Sequence, residues 1–177
     1  YAYTLQGWLK TVNSNGLDST KDMGNDGISF LECKDVFAYE LGYFSGDYTS
    51  VGTSNHTQDL SELEPNYLGL YNGNIKYMTT ALSNTDQKAM DLHLSVYNYD
   101  QLNRITGSRL RIGSDFSSSS YTDNYKTNYS YDRNGNLLSL NRNGLQPQAM
   151  DNLSYNYISG TNQLSYVSDA VNSTNYQ

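Results

Sequence analysis

Four stretches of this 177-residue chain open on tyrosine, any residue and tyrosine, then pass through a turn-like phrase into an aliphatic residue. They are YAYTLQGWLKTVN (Tyr1 to Asn13), YNYDQLNRITGSR (Tyr97 to Arg109), YSYDRNGNLLSLN (Tyr129 to Asn141) and YNYISGTNQLSYVS (Tyr155 to Ser168). In the first three, the aliphatic residue (Leu9, Ile105 or Leu137) stands six positions after the second tyrosine; in the fourth, Leu164 stands seven positions on. The copies are loosely spaced, and weaker relatives lie between them, in FAYELGYFSGDY (Phe37 to Tyr48) and YLGLYNGNIKYM (Tyr67 to Met78). Internal repetition of this kind marks an architecture whose units are too small to bury an apolar face alone and must stack on one another.

The unit itself reads as a β-hairpin. Short runs rich in Tyr, Leu, Val and Thr alternate with Asn, Gly, Asp and Ser, which is the pattern of strands and tight turns. Asn134-Gly135 predicts a two-residue type I′ turn, because both central positions of that turn need a positive φ. Such a turn pairs Arg133 with Asn136, Asp132 with Leu137, Tyr131 with Leu138 and Tyr129 with Leu140. Tyrosine then faces leucine on one side of the hairpin. Ser130 opposite Ser139 and Asn128 opposite Asn141 lie on the other, with Leu137 among them. The same register places Tyr1, Tyr3 and Trp8 on one face of the first copy and Leu9 on the other, and in the second copy separates Tyr97 and Tyr99 from Ile105. One hairpin is marginal in water, so the copies are expected to join edge to edge. The expected class is all-β, with antiparallel hairpins and at most one short helix, for which SNTDQKAMDLHLS (Ser83 to Ser95) is the best stretch.

The frame Tyr-x-Tyr-Asp-x-x-Gly-Asn-Leu, complete at Tyr129 to Leu137, resembles the tyrosine-aspartate (YD) repeat of the Rhs family, whose relatives include the toxin-complex cocoon proteins and the teneurins. Tyr97, Tyr99, Asp100 and Ile105 make a second match, with Asn103-Arg104 where the family has Gly-Arg. Gly7-Trp8-Leu9 and Thr4 stand in the first copy for the Gly-Arg-Leu and the aspartate, and Ile158 stands for the aspartate in the fourth. The resemblance implies a curved or spiralling sheet, a slice of a β-shell, held by a repeat-structural set: Tyr1, Tyr3, Gly7, Leu9, Tyr97, Tyr99, Asp100, Ile105, Tyr129, Tyr131, Asp132, Gly135, Leu137, Tyr155, Tyr157 and Leu164. It implies a scaffold or a container for a toxin or other cargo polypeptide, outside the cell or on its surface, with flanking repeats as partners and no catalytic role. No DPxG-like cleavage element is present, so cargo release is not credited to this segment. The chain begins in mid-pattern and reads as one repeat domain over residues 1–177, cut from a longer protein.

Composition narrows the remaining choices. The 18 tyrosines supply large rings that can be buried if their hydroxyls find partners. Eleven basic residues scattered among 18 acidic ones build no patch for a phosphate backbone, which argues against nucleic acid. No apolar run reaches membrane-spanning length, and one cysteine, Cys33, allows no intrachain disulfide. His56, His93 and Cys33 lack metal-ligand spacing, so no metal or other cofactor is expected. The loop DMGNDGISFLEC (Asp22 to Cys33) has Asp22, Asp26 and Gly27 at calcium-loop positions but cysteine in place of the closing glutamate, and reads as a surface turn. Asp59, Glu62 and Glu64 cluster locally, without evidence of the cleft that a carboxylate pair needs. The alternative function is an extracellular carbohydrate-binding module, in which exposed Tyr rings stack on sugars and Asn amides bond their hydroxyls. Free sheet edges also predict self-association by strand pairing.

Overall fold

The computed structural model of the chain describes residues 1–17, 21, 24, 34–51, 57, 69–84, 88, 90–113, 116, 122–146 and 148–172. The strands are β1 (Ala2–Tyr3), β2 (Leu9–Val12), β3 (Phe37–Gly42), β4 (Tyr77–Leu82), β5 (Leu92–Tyr99), β6 (Ile105–Gly113), β7 (Thr122–Tyr131), β8 (Leu137–Asn143), β9 (Ala149–Tyr157) and β10 (Leu164–Asp169). They form one open antiparallel sheet in sequence order, and no helix occurs among the described residues. Within Ser83 to Ser95, the residues from Leu92 onward belong to β5, where Leu94 is buried and His93 exposed, a strand's alternation rather than a helix's. The chain divides into two compact units, Tyr1–Val96 with Arg111–Ser120, and Tyr97–Leu110 with Tyr121–Gln177.

The first unit has a buried face. Ala38, Glu40 and Gly42 on β3 pair with Ala81, Thr79 and Tyr77 on β4, and Thr79 and Tyr77 pair in turn with Leu94 and Val96 on β5. All are buried, while the residues between them are only partly so. Gly42 is required there: a β-carbon on it would lie 2.0 Å from the Tyr77 ring. Burying Leu94 and Val96 contributes about 1.5–3 kcal/mol for each side chain.

In the second unit the two faces differ in chemistry. Tyr129 opposite Leu140, Leu140 opposite Leu153 and Tyr131 opposite Leu137 form a half-buried apolar face, joined by Tyr155 and Tyr157. Ser130, Ser139, Ser154 and Ser168 line up across β7 to β10 on the opposite face, beside a row of Asn128, Asn141 and Asn152. The Ser130 and Ser139 hydroxyls bond each other.

Candidate interaction site at the hairpin ends

The turns differ from the type I′ expectation, and the difference starts with an aspartate. The Asp132 N–H donates to the Asn136 carbonyl at 2.9 Å and the Gly135 N–H to the Asp132 carbonyl at 3.2 Å. Gly135 has φ +90°, whereas Arg133 and Asn134 do not have positive φ. This is a three-residue loop, a type I turn closed by a glycine bulge, instead of a two-residue turn. Asp132 selects it by accepting the N–H groups of Asn134 at 2.9 Å and Asn136 at 2.8 Å on Oδ1, and the Asn136 amide at 2.8 Å on Oδ2. The Asn136 amide, followed by the turn N–H groups, holds the Asp132 carboxyl below the usual carboxylate range.

The extra loop residue shifts the register between Ser130 and Tyr131. Tyr131 therefore pairs with Leu137 rather than Leu138, while Tyr129–Leu140, Ser130–Ser139 and Asn128–Asn141 pair as expected. Tyr3 likewise pairs with Leu9, and Tyr157 with Leu164. The expectation that the aliphatic residue lies on the face opposite the tyrosines is thus corrected for Leu9 and Leu137: the bulge brings each onto the face of the second tyrosine.

The other copies reach the same loop with different residues. Asp100 accepts from the Leu102 and Arg104 N–H groups at 2.9 and 3.0 Å, with Asn103 at φ +62° in the glycine's place. The Arg104 N–H, then its guanidinium 2.7 Å away, lowers the Asp100 carboxyl. In the first copy, the Thr4 hydroxyl accepts the Trp8 N–H at 3.1 Å and Gly7 has φ +82°. The fourth loop is one residue longer, closing from the Ile158 N–H to the Gln163 carbonyl at 2.9 Å, with Gly160 at φ +77°.

At three of the loops the tyrosine that stands immediately before the loop sends its hydroxyl across to the preceding hairpin. Tyr131 donates to the Ile105 carbonyl at 2.8 Å, Tyr157 to the Leu137 carbonyl at 2.9 Å, and Tyr43 to the Leu9 carbonyl at 2.8 Å. In every case the acceptor is the first residue of a strand. Burial, ahead of the neighbouring Tyr129, raises the Tyr131 pKa; burial, ahead of Asp47, raises that of Tyr43.

The residue just before each acceptor braces the same junction. Arg104 lies 4.7 Å over the Tyr131 ring and donates to the Asp132 carbonyl at 3.0 Å. Trp8 packs against Tyr43 with ring centroids 5.0 Å apart. Asn136 donates to Asn162 of the following loop at 2.9 Å. Arginine, tryptophan and asparagine thus fill one structural position.

Of the remaining tyrosines that lead the copies, Tyr1 is exposed, and Tyr97, Tyr129 and Tyr155 are half-buried. Burial, then Tyr97, raises the pKa of Tyr99. Cys33, His56, Asp59, Glu62, Glu64 and the calcium-like loop, apart from Gly24, lie outside the described residues; His93 is exposed on β5. Two features escape sequence reasoning. Tyr43 belongs to the series: Phe37 to Tyr48 reads as a weaker relative, but its alignment on Tyr43, one residue ahead of a turn where Gly46 has φ +72°, is missed. The second is a buried charge cluster. Lys10 Nζ lies 2.8 Å from Asp47 Oδ1 and 3.2 Å from Glu40 Oε1, with side-chain exposures of 2%, 6% and 0% respectively.

No protein-family profile and no curated protein matches the chain. Among solved structures, it is similar to TcdB2-TccC3, at 12% identity over 80% of this chain and 7% of that one, with a TM-score of 0.24. It is also similar to the Photorhabdus luminescens Tc holotoxin pore, at 13% identity over 81% of this chain and 7% of that one, with a TM-score of 0.25.

Proposed function

We propose that this chain is a segment of a repetitive β-scaffold that displays or encloses other material outside the cell or on its surface, as its likeness to YD repeats implies. One observation carries the reading: the hydroxyl of the tyrosine before a loop ties each hairpin to its predecessor at three junctions, through Tyr43, Tyr131 and Tyr157. Energy invested in hairpin-to-hairpin links, with Arg104, Trp8 and Asn136 bracing them, serves extension. The outer edges of β1 and β10 offer the same two halves of the link, Tyr3 before a loop and Leu164 at a strand start. Flanking repeats of the parent, or a second copy, add there, and the enclosed material is a cargo polypeptide.

Deleting β9 and β10 tests the scaffold. Hydrogen exchange in β7 and β8 is expected to accelerate when Tyr157 is removed; unchanged protection of those strands would overturn the reading. A second reading, glycan binding, is favoured by the Ser row across β7 to β10 and the Asn row across β7 to β9. A saturable signal on a glycan array, abolished by Asn141→Ala, would support it over a purely architectural role.

A further inference from the structure

The Lys10–Glu40–Asp47 cluster lies apart from the hairpin links. Lys10 Nζ is 2.8 Å from Asp47 Oδ1 and 3.1 Å from Oδ2, so the nitrogen faces the carboxyl group as a whole. Glu40 Oε1 is 3.2 Å from the same nitrogen. The Tyr43 N–H donates to Asp47 Oδ2 at 2.9 Å, and the Tyr77 hydroxyl to Glu40 Oε1 at 3.2 Å, so both carboxylates are held in place. The Tyr77 ring centroid lies 5.5 Å from Lys10 Nζ. One cation is thus enclosed with two anions in a site shut off from water, where an ionic cluster is costly to maintain. Held together in this way, an amine and a carboxyl group gain a large effective concentration, and water does not compete with the amine.

We propose that Lys10 and Asp47 are joined by an isopeptide bond formed within the folded chain, with Glu40 as the proton carrier. A proton passes from the Lys10 ammonium to the Asp47 carboxylate, leaving an amine against a carboxylic acid. The Nζ lone pair attacks Cγ of Asp47, forming the C–N bond and moving the carbonyl electron pair onto oxygen, which the Tyr43 N–H stabilises. Glu40 removes a second proton from Nζ and delivers it to the departing hydroxyl; the C–O bond breaks and one water leaves. The amide keeps one hydrogen on nitrogen, Glu40 returns to its starting state, and no oxidant or cofactor is consumed. The bond would clasp β2 to the loop after β3. The proposal is independent of the scaffold reading, since it needs only these three side chains and their burial.

Intact mass measured on the full chain under denaturing conditions tests it. The expected mass is that of the sequence less one water, and tryptic digestion should release a branched peptide joining the segments that carry Lys10 and Asp47. Lys10→Arg and Glu40→Gln should each return the full sequence mass. Asp47→Asn should link with loss of ammonia in place of water, which supplies a second signature if either of the other variants fails to fold. A wild-type chain that is folded by circular dichroism yet has the full sequence mass would overturn the proposal, as would a branch mapped to Glu40.

Discussion

The two units use related hairpins but draw their stability from different places. The first buries Tyr77, Ala81, Leu94 and Val96 together with an enclosed Lys10–Glu40–Asp47 cluster. In the second, the tyrosines and leucines of the apolar face are only half-buried, and the ordered polar contacts gather in the loops and at the junctions between hairpins. A sheet assembled from one motif can therefore hold a core-stabilised stretch and a link-stabilised stretch. The two should fail under different insults.

The largest contrast should come from charge. Lys10→Met leaves Glu40 and Asp47 buried without their cation, removes the proposed bond to Asp47 as well, and is expected to cost at least about 3–5 kcal/mol in urea unfolding of the first unit. Lys126→Met removes a second-unit partner of the exposed Asp123 and should change stability by about 0–1 kcal/mol. Similar costs for the two would erase the distinction.

Packing comes next. Gly42→Ala drives a methyl group into the Tyr77 ring and should destabilise the first unit by about 1–3 kcal/mol, read as a shift of its unfolding midpoint. Tyr131→Phe and Tyr157→Phe keep the rings but strip the hydroxyls from the junctions. Each should cost about 1 kcal/mol, and hydrogen exchange should place the loss in the second unit.

Acid provides the gentlest comparison. Asp100 and Asp132 are held below the usual carboxylate range by their loop hydrogen bonds, and Asp169 by the Val171 and Asn152 N–H groups. A depressed folded value contributes stability that is present above the unfolded value, about pH 3.9, and is lost as pH falls through the folded value. The second unit should thus melt at lower temperature as pH falls below about 4, and Asp132→Asn should flatten that dependence. The raised tyrosines act on the other side: the contributions of Tyr43, Tyr99 and Tyr131 are present below about pH 10 and are lost as pH rises through their folded values.

The antiparallel class was legible because Tyr-x-Tyr followed by a turn phrase repeats often enough to leave few other choices. The loop type was misread because Asn-Gly by itself favours a two-residue turn, whereas the aspartate two residues earlier organises a three-residue one. That single residue moved Leu137 from one face to the other. The junction hydrogen bonds were illegible for a different reason: the acceptor is a backbone carbonyl in another hairpin, and a carbonyl leaves no mark in the residue alphabet. Nor does spacing bring Lys10 to Asp47, which meet only after β2 and β3 have paired.

The junctions have a direction. Each phenol belongs to a later part of the chain than the oxygen it caps, as Tyr131 does to Ile105 and Tyr157 to Leu137. A ribosome delivers the acceptor first, so at these junctions a newly emerged hairpin meets a docking point already in place, and the sheet can be laid course by course during synthesis.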